Sequence, residues 1–193
     1  MLFRSLVLSV GLIHGANDLL IIKKNSKFTS NYSQFRPFFT YIGVVFLGFT
    51  FFYLFPSFAL VAFIIVSIYH FGEQHLEAIP LTRSLKNNYR FISIVSHGII
   101  LFTIIFMNNI NTVNNVFLSF KINFLNSSSL NIILIIASIV YISTLVINKY
   151  LTSFIFSEIL FFVLFYFLSL SSTLILCFSV YFIFFHSILS IKD

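Results

Sequence analysis

Apolar residues run along this chain in blocks of about 20, with short polar breaks between them. A helix crossing the hydrocarbon core of a bilayer needs a run of about that length. The pattern predicts seven spanning helices, over 2–22, 37–55, 57–77, 90–107, 130–147, 151–170 and 172–191. Pro56 punctuates the turn between the second and the third, because proline lacks the N–H that a continuing helix needs. The stretch 108–129 is rich in Asn and Ser. It is the longest polar connection, and a short interfacial helix is expected within it over 116–124. No internal repeat and no domain boundary is visible, so residues 1–193 read as a single integral membrane domain.

Composition narrows the class. Hydrophobic residues make up 59% of the chain and charged residues 8%, against about 25% charged in ordinary soluble domains. Too few charges are present to cover a water-exposed surface. A soluble enzyme, a disordered chain and a nucleic-acid binder are thereby excluded, and the fold class is all-α, a polytopic transmembrane helical bundle. Phe accounts for 29 of the 193 residues. A genome rich in A and T is a sufficient cause, and a Phe-lined tunnel for a polyene is compatible with it. The lone cysteine, Cys177, allows no intrachain disulfide and reads as a packed apolar residue.

The net charge of +6 acts as a topology signal once it is located. With seven spans, Lys23, Lys24, Lys27, Arg36, Arg83, Lys86, Arg90, Lys149 and Lys192 fall on one side, and only Arg4 and Lys121 on the other. Basic residues accumulate on the cytoplasmic side of short-looped membrane proteins. The expected topology is multi-pass in the bacterial inner (cytoplasmic) membrane, N-terminus out and C-terminus in. The first span has a rival reading as a signal peptide, with Arg4 before the apolar stretch and Gly15-Ala16 as small residues at a cleavage site. The polar residues His14, Asn17 and Asp18, followed by more apolar sequence, argue against it.

Ionisable groups inside a bilayer are costly, about 2.5–3.5 kcal/mol each at the centre of a span, so their positions carry the information. All five histidines, His14, His70, His75, His97 and His186, fall within predicted spans. Of the five acids, Asp18, Glu73, Glu77 and Glu158 fall within spans or at their ends. Counted from the nearer helix end, most of these groups share one layer about 10 Å inside the cytoplasmic boundary. Local spacing agrees with a site: His14 and Asp18 stand at i and i+4, and His70 shares a helix face with Glu73 and Gln74. A carboxylate beside an imidazole sets its tautomer and raises its basicity as a metal ligand. By ligand type such a site suits Fe(II), Zn(II) or Cu(II), and histidine alone does not choose among them. Taken singly, each histidine also fits a hydrogen-bonding strut between helices. Tyr69 and Tyr181 read as buried hydroxyls.

These same residues carry a family resemblance. Gly11-Leu12-Ile13-His14-Gly15-Ala16-Asn17-Asp18 resembles the first motif of the Brp/Blh family of bacterial membrane β-carotene 15,15'-dioxygenases. Tyr69-His70-Phe71-Gly72-Glu73-Gln74-His75 resembles its second motif, and Tyr181-Phe182-Ile183-Phe184-Phe185-His186-Ser187 its late one. Ser96-His97-Gly98 falls where the family has a further helix with a small polar cluster. The resemblance implies cleavage of the central double bond of β-carotene by O₂, giving two molecules of retinal. It also implies a non-haem Fe(2+) held by histidines. His14, His70 and His186 would be the ligands, His75 or His97 an additional one, and Asp18, Glu73 and Glu158 the supporting acids. Implied partners are β-carotene, O₂ and the lipid bilayer, with hand-off of retinal to an opsin as an extension. Two departures stand out: Ser190 occupies the position where many members carry a second late histidine, and the family tends to continue for further helices beyond the point matching Asp193.

Other readings remain in contrast. A lipid desaturase or hydroxylase would show His-x-x-His pairs in loops, which are absent here. A proton-relay transporter would spread its polar groups through both leaflets. A haem-binding bundle would use paired axial histidines. A relative with a lost or altered site would keep the fold without the activity.

Overall fold

The computed structural model describes residues 36–77, 79, 87–147 and 152–183. The first predicted span and the end of the seventh, with His14, Asp18 and His186, lie outside the described residues. The described residues form α1 (Arg36–Leu54), α2 (Pro56–Glu77), α3 (Asn87–Asn108), α4 (Ile110–Ser119), α5 (Ser127–Ile147), α6 (Ile155–Leu170) and α7 (Leu174–Tyr181). A single 3₁₀ turn, Thr152–Phe154, leads into α6. No strand occurs among them. Among the described residues, four stretches are long and apolar enough to cross a membrane: Pro56–Glu77, Asn88–Asn108, Ser127–Ile147 and Thr152–Leu170. The molecule is a helical membrane protein, as its hydropathy pattern predicts.

Two boundaries differ from expectation in an informative way. At Pro56 the chain does not form a loop. Only Phe55 is non-helical, and helix-type bonds flank it, from Phe55 N–H to the Phe51 carbonyl (2.8 Å) and from Ala59 N–H to the Phe55 carbonyl (2.9 Å). Proline breaks the ladder locally and bends the chain. The short helix predicted over 116–124 instead occupies Ile110–Ser119. Its Val113 and Phe117 are buried, one helical turn apart. The residues after it form an irregular connection pinned by Asn114, which accepts from Leu125 N–H (2.8 Å) and donates to the Leu125 carbonyl (3.2 Å).

Helix α3 is the hub, packed against α2, α5, α6 and α7. A helix apolar on nearly all sides belongs inside a bundle, and most of this one is buried. Its approach to α2 is set by two glycines. A Cβ on Gly72 would run into the Ile94 carbonyl, and a Cβ on Gly98 into the Ile68 carbonyl. Without Cβ atoms the two backbones come into direct contact, the usual way helices associate in lipid. Hydroxyls add ties: Ser93 donates to Thr144 Oγ1 (2.8 Å) between α3 and α5, and Tyr181 to the Phe71 carbonyl (3.4 Å) between α7 and α2. Cys177 is fully buried in the core, as a packed apolar residue should be.

Candidate metal centre

The register set by the glycines runs α2 and α3 antiparallel, with Glu77 bonded to Arg90 (2.9 Å) at one end and Ile68 beside Gly98 further in. His75 projects from the α3-facing side of α2, one turn beyond Gly72. His97 projects from α3 beside Gly98. In a helix each side chain leans toward its own N-terminus. Because the helices are antiparallel, these two leans converge. The imidazoles stack with centroids 4.0 Å apart and planes 20° from parallel.

Glu158, on the first turns of α6, completes the group. His75 Nε2 lies 3.0 Å from Glu158 Oε1 and 3.1 Å from Oε2. His97 Nε2 lies 4.0 Å from Glu158 Oε2. Tyr141 of α5 donates its hydroxyl to the same Oε2 at 2.7 Å, so four helices contribute. Phe161 and Phe162 wall the imidazoles, with Phe161 4.8 Å from His75 and Phe162 4.9 Å from His97 between ring centroids.

The donors suit a metal ion. One ligand atom from each of His75, His97 and Glu158 lies within 4.8 Å of the others. His97 is 0% exposed, and neither of its ring nitrogens has a hydrogen-bond partner among the described residues. A buried polar atom left unpaired costs about 1–3 kcal/mol, and a cation on Nε2 removes part of that cost. Two imidazoles and a carboxylate are a donor set for first-row divalent metals, including iron(II) of the oxygenase type. Beside the centre an apolar groove of about 450 Å³ runs between α3, α5 and α6, and Tyr141 and Glu158 lie in its lining.

A family model described as beta-carotene 15,15'-dioxygenase matches residues 5–193. The chain belongs to the beta-carotene 15,15'-dioxygenase family. Membership implies a dioxygenase, hence an oxidoreductase, with β-carotene as its substrate. No curated protein and no solved structure gives a match.

Among the described residues the predicted site residues fall in two sets. His75, His97 and Glu158, taken from sequence as an additional ligand and a supporting acid, are brought together, and Glu158 is itself in the ligand-forming group. His70 is not in that group. It lies on the exposed side of α2, while His75 is largely buried. Glu73 accepts from the Tyr69 hydroxyl (3.0 Å) at the surface of α2. Tyr69 is therefore not the buried hydroxyl expected: its ring packs against Phe91 of α3, but at the exposed edge of the helix pair; Tyr181 is buried as expected. Sequence reasoning missed Tyr141. Its only signal was a polar-tipped ring in an otherwise aliphatic stretch of α5, where a buried hydroxyl needs a partner.

Proposed function

We propose that this protein cleaves the central double bond of β-carotene with O₂, each of the two carbons taking one oxygen atom, to give two molecules of retinal. The observation that carries the proposal is the family match, which extends across all three histidine motifs. In this reading Fe(2+) is held by His14, His70 and His186, with Asp18 and Glu73 beside them. Bound iron would supply the binding and activation of O₂. The chain's own part is to hold the imidazoles in an apolar layer of the bilayer, where a membrane-dissolved polyene reaches them without passing through water. Apolar, Phe-rich helix faces hold the substrate by burial and keep water from the reacting bond. We further propose one integral membrane domain over 1–193 in the bacterial inner membrane, N-terminus out, on the charge asymmetry of the loops.

One observation favours a second placement of the iron, at His75, His97 and Glu158: the apolar groove reaches the carboxylate of that group. The two placements predict different variants to be dead. Bacteria that accumulate β-carotene, expressing the wild type, should lose colour and gain retinal. His70→Ala and His186→Ala should abolish retinal formation and iron binding while the protein still inserts. Full activity in both variants would overturn the motif ligand set, and unchanged carotene with well-folded wild type would overturn the cleavage itself.

A further inference from the structure

His70 and His75 stand five residues apart on one continuous helix, α2. Five residues rotate a helix by about 140° and advance it by about 7.5 Å. Metal–imidazole bonds are about 2.0–2.1 Å long. Side chains that diverge this far cannot meet on one ion, unlike pairs three or four residues apart. A histidine at position 70 that holds the catalytic iron therefore leaves the His75 group as a different centre.

That group is built as a site in its own right. Its three donors come from three helices and lie within 4.8 Å of one another. Donors that bind one ion at about 2.1 Å with tetrahedral angles lie about 3.4 Å apart, so the wider separations must close by about 1 Å as the ion enters. His97 is wholly buried with both ring nitrogens unbonded among the described residues. Glu158 is fixed from behind by the Tyr141 hydroxyl. His75 is two residues from the end of α2 and keeps 12% of its side chain exposed, which leaves the group open to an ion at that end of the helix. Imidazole donors disfavour Mg²⁺ and Ca²⁺, which take oxygen, and favour first-row ions such as Zn²⁺ or Fe²⁺.

We propose that His75, His97 and Glu158 bind a second divalent transition-metal ion, separate from the catalytic iron, that ties α2, α3 and α6 together. The inference rests on the reading that His70 belongs to the iron site.

The test is metal stoichiometry of the full chain, purified without a histidine tag in detergent, with Zn²⁺ and Co²⁺ as probes. Elemental analysis of the saturated wild type should give two metal equivalents per chain. Glu158→Gln, which keeps the side-chain shape, and His97→Ala should each leave one, and His70→Ala should remove the other. The Co²⁺ ligand-field bands assigned to the second site should vanish in Glu158→Gln and persist in His70→Ala. Wild type saturating at one equivalent overturns the proposal without recourse to any variant. Loss of a lone equivalent in Glu158→Gln, together with loss of retinal formation, would make this group the iron site. Two equivalents in a wild type that leaves carotene intact would uphold the second site and overturn the proposed function instead.

Discussion

Adding one methyl group at Gly98 or Gly72 should separate α2 from α3. Real Cβ atoms essentially never approach another heavy atom within 3.0 Å, and at both positions an added Cβ meets a backbone carbonyl well inside that limit. Neither partner is a side chain that can rotate away, so the helices must part locally by about 1 Å, and such overpacking costs about 1–3 kcal/mol. Alanine also favours the helix over glycine by about 0.8–1.0 kcal/mol. With backbone against backbone the cost lies near the top of its range, about 2–3 kcal/mol, and wins by about 1–2 kcal/mol. Gly43 and Gly48 in α1 have nothing within 4 Å of an added Cβ, so Ala there should show the helix gain alone. Unfolding of the four variants by SDS in mixed micelles, followed by circular dichroism, makes the comparison. Gly72→Ala and Gly98→Ala should lose stability while Gly43→Ala and Gly48→Ala lose none. The double variant should lose less than the sum of the two singles, because one separation relieves both contacts. Parting the helices also draws His75 from His97, and a displacement of about 1 Å at a site costs up to about 100-fold in function. If Gly98→Ala matches Gly48→Ala in stability, the close backbone contact that sets the site is refuted.

Two smaller perturbations probe the ties around Glu158 and α5. Tyr141→Phe deletes the 2.7 Å bond to Glu158. Groups that support a metal ligand tune its affinity by about 10–100-fold, and a Co²⁺ titration of the His75 group should register a loss of that size; unchanged affinity would mean Tyr141 does not orient the carboxylate. Ser93→Ala removes the 2.8 Å bond to Thr144. Interhelical hydrogen bonds in bilayers average about 0.6 kcal/mol, so the same SDS assay should detect a loss below about 1 kcal/mol, and a loss above about 2 kcal/mol would reveal a larger cooperative network.

Much of the helix layout could be read from hydropathy. The predicted spans 57–77 and 130–147 correspond to Pro56–Glu77 and Ser127–Ile147, because about 20 apolar residues are both what lipid demands and what one helix supplies. The short helix lies at Ile110–Ser119 rather than over 116–124, because its apolar residues recur there at the helical period. The buried pair Val113 and Phe117 had marked the helical face all along.

By itself, then, the sequence determines a helical membrane protein and motifs whose family the match over residues 5–193 bears out. Periodicity says which residues share a face of one helix, as His70 and Glu73 do. It does not say which other helix that face meets. Only the tertiary structure decides that His75, His97 and Glu158 converge and that Tyr141 stands behind them. The physical reason lies in Gly72 and Gly98. They let two antiparallel backbones touch at one register, and that register aims two distant imidazoles at the same carboxylate.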